Sequence, residues 1–194
     1  MIKKILLTLA VLTSNACLTA NATPSLSFSL SSQTVALGGQ ASVDVVLNGL
    51  ETDGLDQILS AYDLSITWDD SILNLSTYSG FDLGDGGNST PSPGILDLSS
   101  LSFLDDNALQ IIQGDSLTLA VLDFNGVGIG SSLLSFSYHD LTGLTIAALE
   151  HTVTDGSITV SAVPLPGSLW FLGSGLLGLW RIRNTVTSKN PNIS

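Results

Sequence analysis

Leu64-Ser65-Ile66-Thr67-Trp68 alternates apolar and polar side chains with a period of two. In a strand that spacing puts Leu64, Ile66 and Trp68 on one face and Ser65 and Thr67 on the other, so one face is buried and one meets water. The same rhythm recurs on both sides: Leu26-Ser27-Phe28-Ser29-Leu30, Val43-Asp44-Val45, Leu73-Asn74-Leu75, Leu117-Thr118-Leu119, Leu134-Ser135-Phe136-Ser137-Tyr138 and Ile158-Thr159-Val160. Turn signals separate these runs: Gly38-Gly39, Asn48-Gly49, Asp53-Gly54, Gly86-Gly87-Asn88, Asn125-Gly126 and Asp155-Gly156. Only Ala147-Ala148-Leu149-Glu150 hints at helix, no repeat of fixed period occurs, and Asn88 to Gly94, with Pro91 and Pro93, reads as a loop within the domain. Many short strands without a helical period predict an all-β chain folded as a single β-sandwich over residues 23–162. Phe28, Val45, Leu64, Ile66, Trp68, Leu119 and Phe136 are its expected core.

The charge layout narrows the function. No Lys or Arg occurs between Ile5 and Trp180, while all 17 acidic residues lie between Asp44 and Asp155, giving a formal charge of −12. Removing Lys3 and Lys4 with a leader, or Arg181, Arg183 and Lys189 with a tail, makes it more negative still. Without basic side chains to neutralise phosphate, nucleic-acid binding is excluded. Ion pairs inside the domain would have to use His139 or His151, so packing and hydrogen bonds must hold it.

Both ends carry targeting features. Lys3 and Lys4 precede the apolar run Ile5 to Leu12, and Ala20-Asn21-Ala22 is an A-x-A cleavage site, so residues 1–22 read as a secretory signal peptide with Thr23 as the mature start. Cys17, the single cysteine, raises a lipoprotein alternative, but Ser14 and Asn15 fit that signal poorly. Cleavage after Ala22 leaves a cysteine-free mature chain, without disulfides or thiolate sites. At the other end Val163-Pro164-Leu165-Pro166 leads into the apolar run Gly167 to Trp180 and then Arg181-Ile182-Arg183. As a helix, residues 163–180 would rise about 27 Å, just short of a bilayer's hydrocarbon core. Leu169, Leu172, Leu176, Leu177, Leu179 and Phe171 together favour insertion by about 2–4 kcal/mol, which Gly167, Gly173, Gly175 and Gly178 erode. The segment therefore reads as a weak transmembrane anchor, with Arg181 and Arg183 on the cytoplasmic side. Gly173-Ser174-Gly175-Leu176-Leu177-Gly178 spells a dinucleotide-binding pattern but lacks the strand, helix and acidic residue that pattern requires.

Residues 163–183 resemble the PEP-CTERM sorting signal of Gram-negative bacteria: a V-P-x-P box, a Leu/Gly/Trp-rich span and a basic cluster. Leu165 stands where the name-giving motif has Glu, as in a V-P-L-P subgroup, and a polar tail, residues 184–194, extends beyond the usual end. The resemblance implies recognition of Val163, Pro164, Leu165, Pro166, Arg181 and Arg183, with processing by exosortase at the inner membrane. Residues of about 25–161 resemble a cohesin-type module, through Leu26 to Leu30, Ser31 to Gly38, Val43 to Leu47, Tyr62 to Asp69 and the closing Asp155 to Val160. That resemblance implies a nine-stranded jelly-roll sandwich and a dockerin-like partner.

Catalytic signals are weak. No G-x-S-x-G elbow occurs, and neither H-x-x-x-H nor H-E-x-x-H pairs His139 with His151. Both histidines fall near strand ends, where a solvated or hydrogen-bonded imidazole is the ordinary expectation. Asp69-Asp70 and Asp105-Asp106 are adjacent pairs in an aspartate-rich chain and need no catalytic cause. Asp82, Asp85 and Asn88 set three oxygen donors in the glycine-rich stretch Asp82 to Asn88, the one place suggesting a cofactor, calcium. Lacking the EF-hand register, it reads first as an acidic, solvated turn. The expected protein is an exported, non-enzymatic binding or structural component of the cell surface or exopolysaccharide matrix, held in the inner membrane until processed. A dockerin-like protein or a neutral polysaccharide is the expected partner. The alternative is a secreted hydrolase of extracellular polymer, which an aromatic-lined cleft with convergent carboxylates would favour.

Overall fold

The computed structural model describes residues 23–50, 57–144, 147–162 and 171–177. Eleven strands form two sheets: β1 Ser25–Phe28, β2 Gln33–Ala36, β3 Gln40–Asn48, β4 Leu59–Thr67, β5 Leu73–Gly80, β6 Asn88–Ser92, β7 Ile95–Leu101, β8 Ser116–Gly126, β9 Gly130–Gly143, β10 Thr152–Thr154 and β11 Gly156–Ser161. One sheet runs β10-β1-β3-β8-β5, the other β2-β11-β9-β4-β7-β6.

The two terminal runs close the sandwich together. The first breaks after Phe28 and the last after Thr154, and each half joins a different sheet. β1 pairs parallel with β10, and β2 parallel with β11. Thr152 N–H to Pro24 O and Leu37 N–H to Ser161 O, 2.9 and 2.8 Å, fasten the two ends of this shared seam. These breaks raise the strand number above the nine expected.

The inward residues of each strand make one core. Leu26, Val43, Val45, Leu47, Leu64, Ile66, Leu119, Leu122, Phe124, Ile158 and Val160 are all buried, as is every core residue expected from the sequence. Phe28 of β1 stacks on Phe136 of β9 at 4.5 Å, joining the sheets. Trp68 is 8% exposed, meets Phe124 edge-on at 5.3 Å, and donates its indole N–H to Leu73 O at 3.1 Å. Gly128 is required where the β8–β9 turn crosses the β4–β5 turn, because a Cβ there would lie 2.2 Å from Ser71 O.

Three expectations need correction. Ala147 to Glu150 is not helical: Ala148 bridges Thr142, and Leu149 N–H donates to Leu141 O at 2.7 Å. The helix lies instead at α1, Asp106–Ile112, where Asp105 caps the N-terminus by accepting from Ala108 N–H and Leu109 is buried. Asn88 to Ser92 is the edge strand β6 rather than a loop. Pro91 fits there because an edge strand leaves one row of N–H positions unpaired. Tyr138 is 50% exposed, because β9 bulges at Ser137: Ile66 faces Phe136 but Ser65 faces Tyr138, which reverses the strand's alternation.

After α1, Gln113 completes β4 at Leu59, which β9 reaches but where pairing with β7 begins only at Ala61. Its Oε1 accepts from Leu59 N–H at 2.9 Å and its Nε2 donates to Leu59 O at 2.6 Å, so one side-chain amide satisfies both backbone groups.

Candidate functional site

The edges β5 and β6 of the two sheets lie side by side, and a cleft opens between them. It encloses about 420 Å³ against Trp68, Asp70, Asn74, Tyr78, Pro91 and Pro93. A smaller hollow of about 100 Å³ lies against Tyr62, Phe81, Asp82 and Asn88. Tyr78 Oη and Ser89 Oγ, 3.2 Å apart, join a residue lining each. The main cleft mixes aromatic and proline surface with amide and hydroxyl groups, a lining suited to a neutral polar ligand. Asp70 is its sole carboxylate among the described residues, whereas glycoside hydrolysis ordinarily uses two across the scissile bond.

The acidic loop beside the smaller hollow is fixed by its own aspartates. Asp82 Oδ1 accepts from Gly84 and Gly86 N–H at 2.7 and 2.9 Å. Asp85 Oδ1 accepts from Gly87 N–H and the Ser100 hydroxyl, at 2.9 and 2.8 Å, and its Oδ2 from Leu101 N–H at 3.0 Å. The Gly87 amide, then Ser100 and Leu101, hold the Asp85 carboxyl below its ordinary range. A lowered carboxyl pKa adds stability that is present above the unfolded-state value and lost as pH falls through the folded one. Asn88 begins β6 opposite Ser99 and is exposed.

Tyr62 of β4 donates to Phe81 O. Burial first, then the charges of Asp85 and Asp82, push its phenol up to about 12 from 10.0. A raised phenol pKa means stability that is intact below the unfolded value and lost as pH rises through the folded one. Ultraviolet titration is therefore expected to find one phenol ionising near pH 12, and denaturant melts to find stability falling between about pH 10 and 12. Tyr62→Phe is expected to remove that late step.

The histidines, separate in sequence, meet in space. His139 Nδ1 lies 3.0 Å from His151 Nε2, with the rings nearly perpendicular. The signal that could have revealed the contact is the Ser137 bulge, which alternation alone does not locate. The cleft was equally hidden, because it needs β6 to be a strand.

Ala20, Ala22, Val163, Pro164, Leu165, Pro166, Arg181 and Arg183 lie outside the described residues, as does most of the expected membrane span. Thr23 is described and exposed. Phe171 to Leu177 is helical and exposed, and no helix among the described residues is long and apolar enough to cross a membrane. Also among these residues, no cluster of three or more His, Cys, Asp or Glu could hold a metal ion.

Comparison with known proteins bears on both parts. Residues 162–184 match the PEP-CTERM protein-sorting motif, a span that includes the V-P-L-P box and both arginines. The sandwich is similar to solved cohesins. The seventh ScaB type I cohesin from Pseudobacteroides cellulosolvens aligns at TM-score 0.58 and 18% identity, covering 74% of this chain and 96% of that one. The sixth cohesin of scaffoldin B from Acetivibrio cellulolyticus, solved in complex with a Cel5 dockerin, aligns at 0.55 and 21%, covering 72% and 100%. A non-cellulosomal cohesin from the hyperthermophilic archaeon Archaeoglobus fulgidus aligns at 0.55 and 12%, covering 73% and 93%. No curated protein matches the sequence. The chain thus carries a PEP-CTERM sorting motif on a cohesin-like, all-β sandwich.

Proposed function

We propose that this cohesin-like sandwich is an exported, non-enzymatic binding module, delivered by its sorting motif to the surface or exopolysaccharide matrix of a Gram-negative bacterium. The observation that carries the reading is the junction: β11 ends at Ser161 and the sorting motif begins at residue 162. No residue separates the two in sequence, so in this reading the domain stays tied to its anchoring segment until processing frees it. In this reading the signal peptide leaves between Ala22 and Thr23, residues 163–183 hold the chain in the inner membrane, and exosortase acts at the V-P-L-P box.

A binding role is supported by the cohesin-like fold and by a cleft with one carboxylate. The partner is a dockerin-like protein or a neutral polysaccharide, because the domain has no basic side chain with which to meet an anionic one. Calorimetric titration of the released chain with dockerin modules and with neutral glucans tests this. Saturable binding that survives added sodium chloride is expected, since screening weakens mainly contacts between charges. Binding confined to anionic polymers would contradict it.

The Asp82 to Asn88 loop enters this reading as a folded acidic turn, its two aspartates already serving N–H and hydroxyl donors. Calcium is expected to raise the melting temperature no more than sodium at equal ionic strength. A calcium-specific rise that Asp85→Ala with Asn88→Ala abolishes would instead establish a cation site, because an ion bound only by the folded state stabilises it by mass action.

A further inference from the structure

The two histidines of the chain come together through a defect in β9. The bulge at Ser137 sets His139 opposite Leu64, at the alternation of buried Leu141. Bulges re-aim side chains in this way. The partner ring arrives on the segment leading into β10, which is pinned to β9 by Leu149 N–H to Leu141 O, 2.7 Å, and by the Thr142–Ala148 bridge. Both imidazoles are therefore carried by backbone that is already fixed.

The hydrogen bonds assign the protons. His151 Nδ1 lies 2.7 Å from Leu149 O. A carbonyl can only accept, so in the neutral pair His151 carries its proton on Nδ1 and turns the lone pair of Nε2 toward His139, whose Nδ1 donates across 3.0 Å. A metal-ligating histidine is usually fastened in this way, one nitrogen donating to a backbone carbonyl and the other offering its lone pair.

We propose that His139 and His151 form a two-imidazole site for a divalent transition ion of the zinc class. Binding requires the His139 proton to move from Nδ1 to its Nε2, which frees a second lone pair without net proton release. With metal–nitrogen bonds of about 2.0–2.1 Å, nitrogens kept 3.0 Å apart take two adjacent positions of one ion at an angle slightly above 90°, once both rings pivot so that their lone pairs converge on it instead of facing each other. Among the described residues no third His, Cys, Asp or Glu completes a cluster, so water fills the remaining positions. A domain with no Lys or Arg between Ile5 and Trp180 presents no repulsion to an approaching cation. A bound ion would clamp β9 to the chain just before β10 and β11, the strands that lead to the sorting motif.

Zinc chloride titrated into the chelator-treated full chain, followed by NMR of the imidazole ring protons, tests this. Both histidines are expected to shift along one saturation curve, while calcium at the same concentration leaves them unmoved, because hard cations prefer oxygen ligands. His139→Gln and His151→Gln are each expected to weaken zinc binding by about tenfold or more, since even outer-shell losses at metal sites cost 10–100-fold. The wild-type ring signals decide the matter even if a variant folds poorly. Imidazoles that stay still, shift on separate curves, or respond equally to calcium would overturn the proposal.

Discussion

Replacing Pro164 and Pro166 with alanine is expected to abolish release of the chain and leave it in the inner membrane. Proline fixes φ, lacks an N–H, and drives the preceding residue toward extended backbone. Such a box is expected to favour extended backbone over helix ahead of the apolar run, the form in which proteases take their substrates. Alanine removes both restraints. Fractionation of cells carrying exosortase is expected to show wild-type chain outside and the variant in the membrane pellet. Equal release of both would show that the box does not direct sorting.

Truncating Trp68 to alanine is expected to cost about 3–5 kcal/mol, the range for removing a large buried aromatic. Trp68 follows β4, fills the space against Phe124, and satisfies Leu73 O through its indole N–H. A domain of this size has only about 5–15 kcal/mol of net stability, so the loss takes a large share. No salt bridge to Lys or Arg offsets it, because residues 23–162 contain neither. Trp68→Phe, which keeps a ring but loses the N–H, is expected to cost less, and denaturant melts of both variants measure the difference. An alanine variant as stable as the wild type would mean that Trp68 is not part of the core.

Alternation was a sound guide wherever a strand runs without interruption. Leu64, Ile66 and Trp68 are buried as the period of two requires, and so are Leu26, Phe28, Val43 and Val45. It failed where one residue is inserted. β8 is skipped at Leu119 in its pairing with β3, so Leu119 and Ala120 are both buried in succession, and β9 is skipped at Ser137, which turns Tyr138 outward. Alternation is a local pattern, whereas a bulge is fixed by the register of the neighbouring strand, which the local sequence does not contain. The seven residues of α1 are too few to establish a helical period, and its one legible signal is the N-cap Asp105. The sorting box was legible because recognition reads it as a linear sequence, whereas the cleft and the histidine pair arise only when distant strands come together.

The central claim is that a signal peptide and a sorting segment bracket the folded sandwich and are both removed on the way out. The intact mass of the protein recovered outside exosortase-bearing cells tests it most directly. The account predicts a chain beginning at Thr23 and lacking Arg181 and everything after it. Recovery of an extracellular chain that still ends at Ser194 would contradict it.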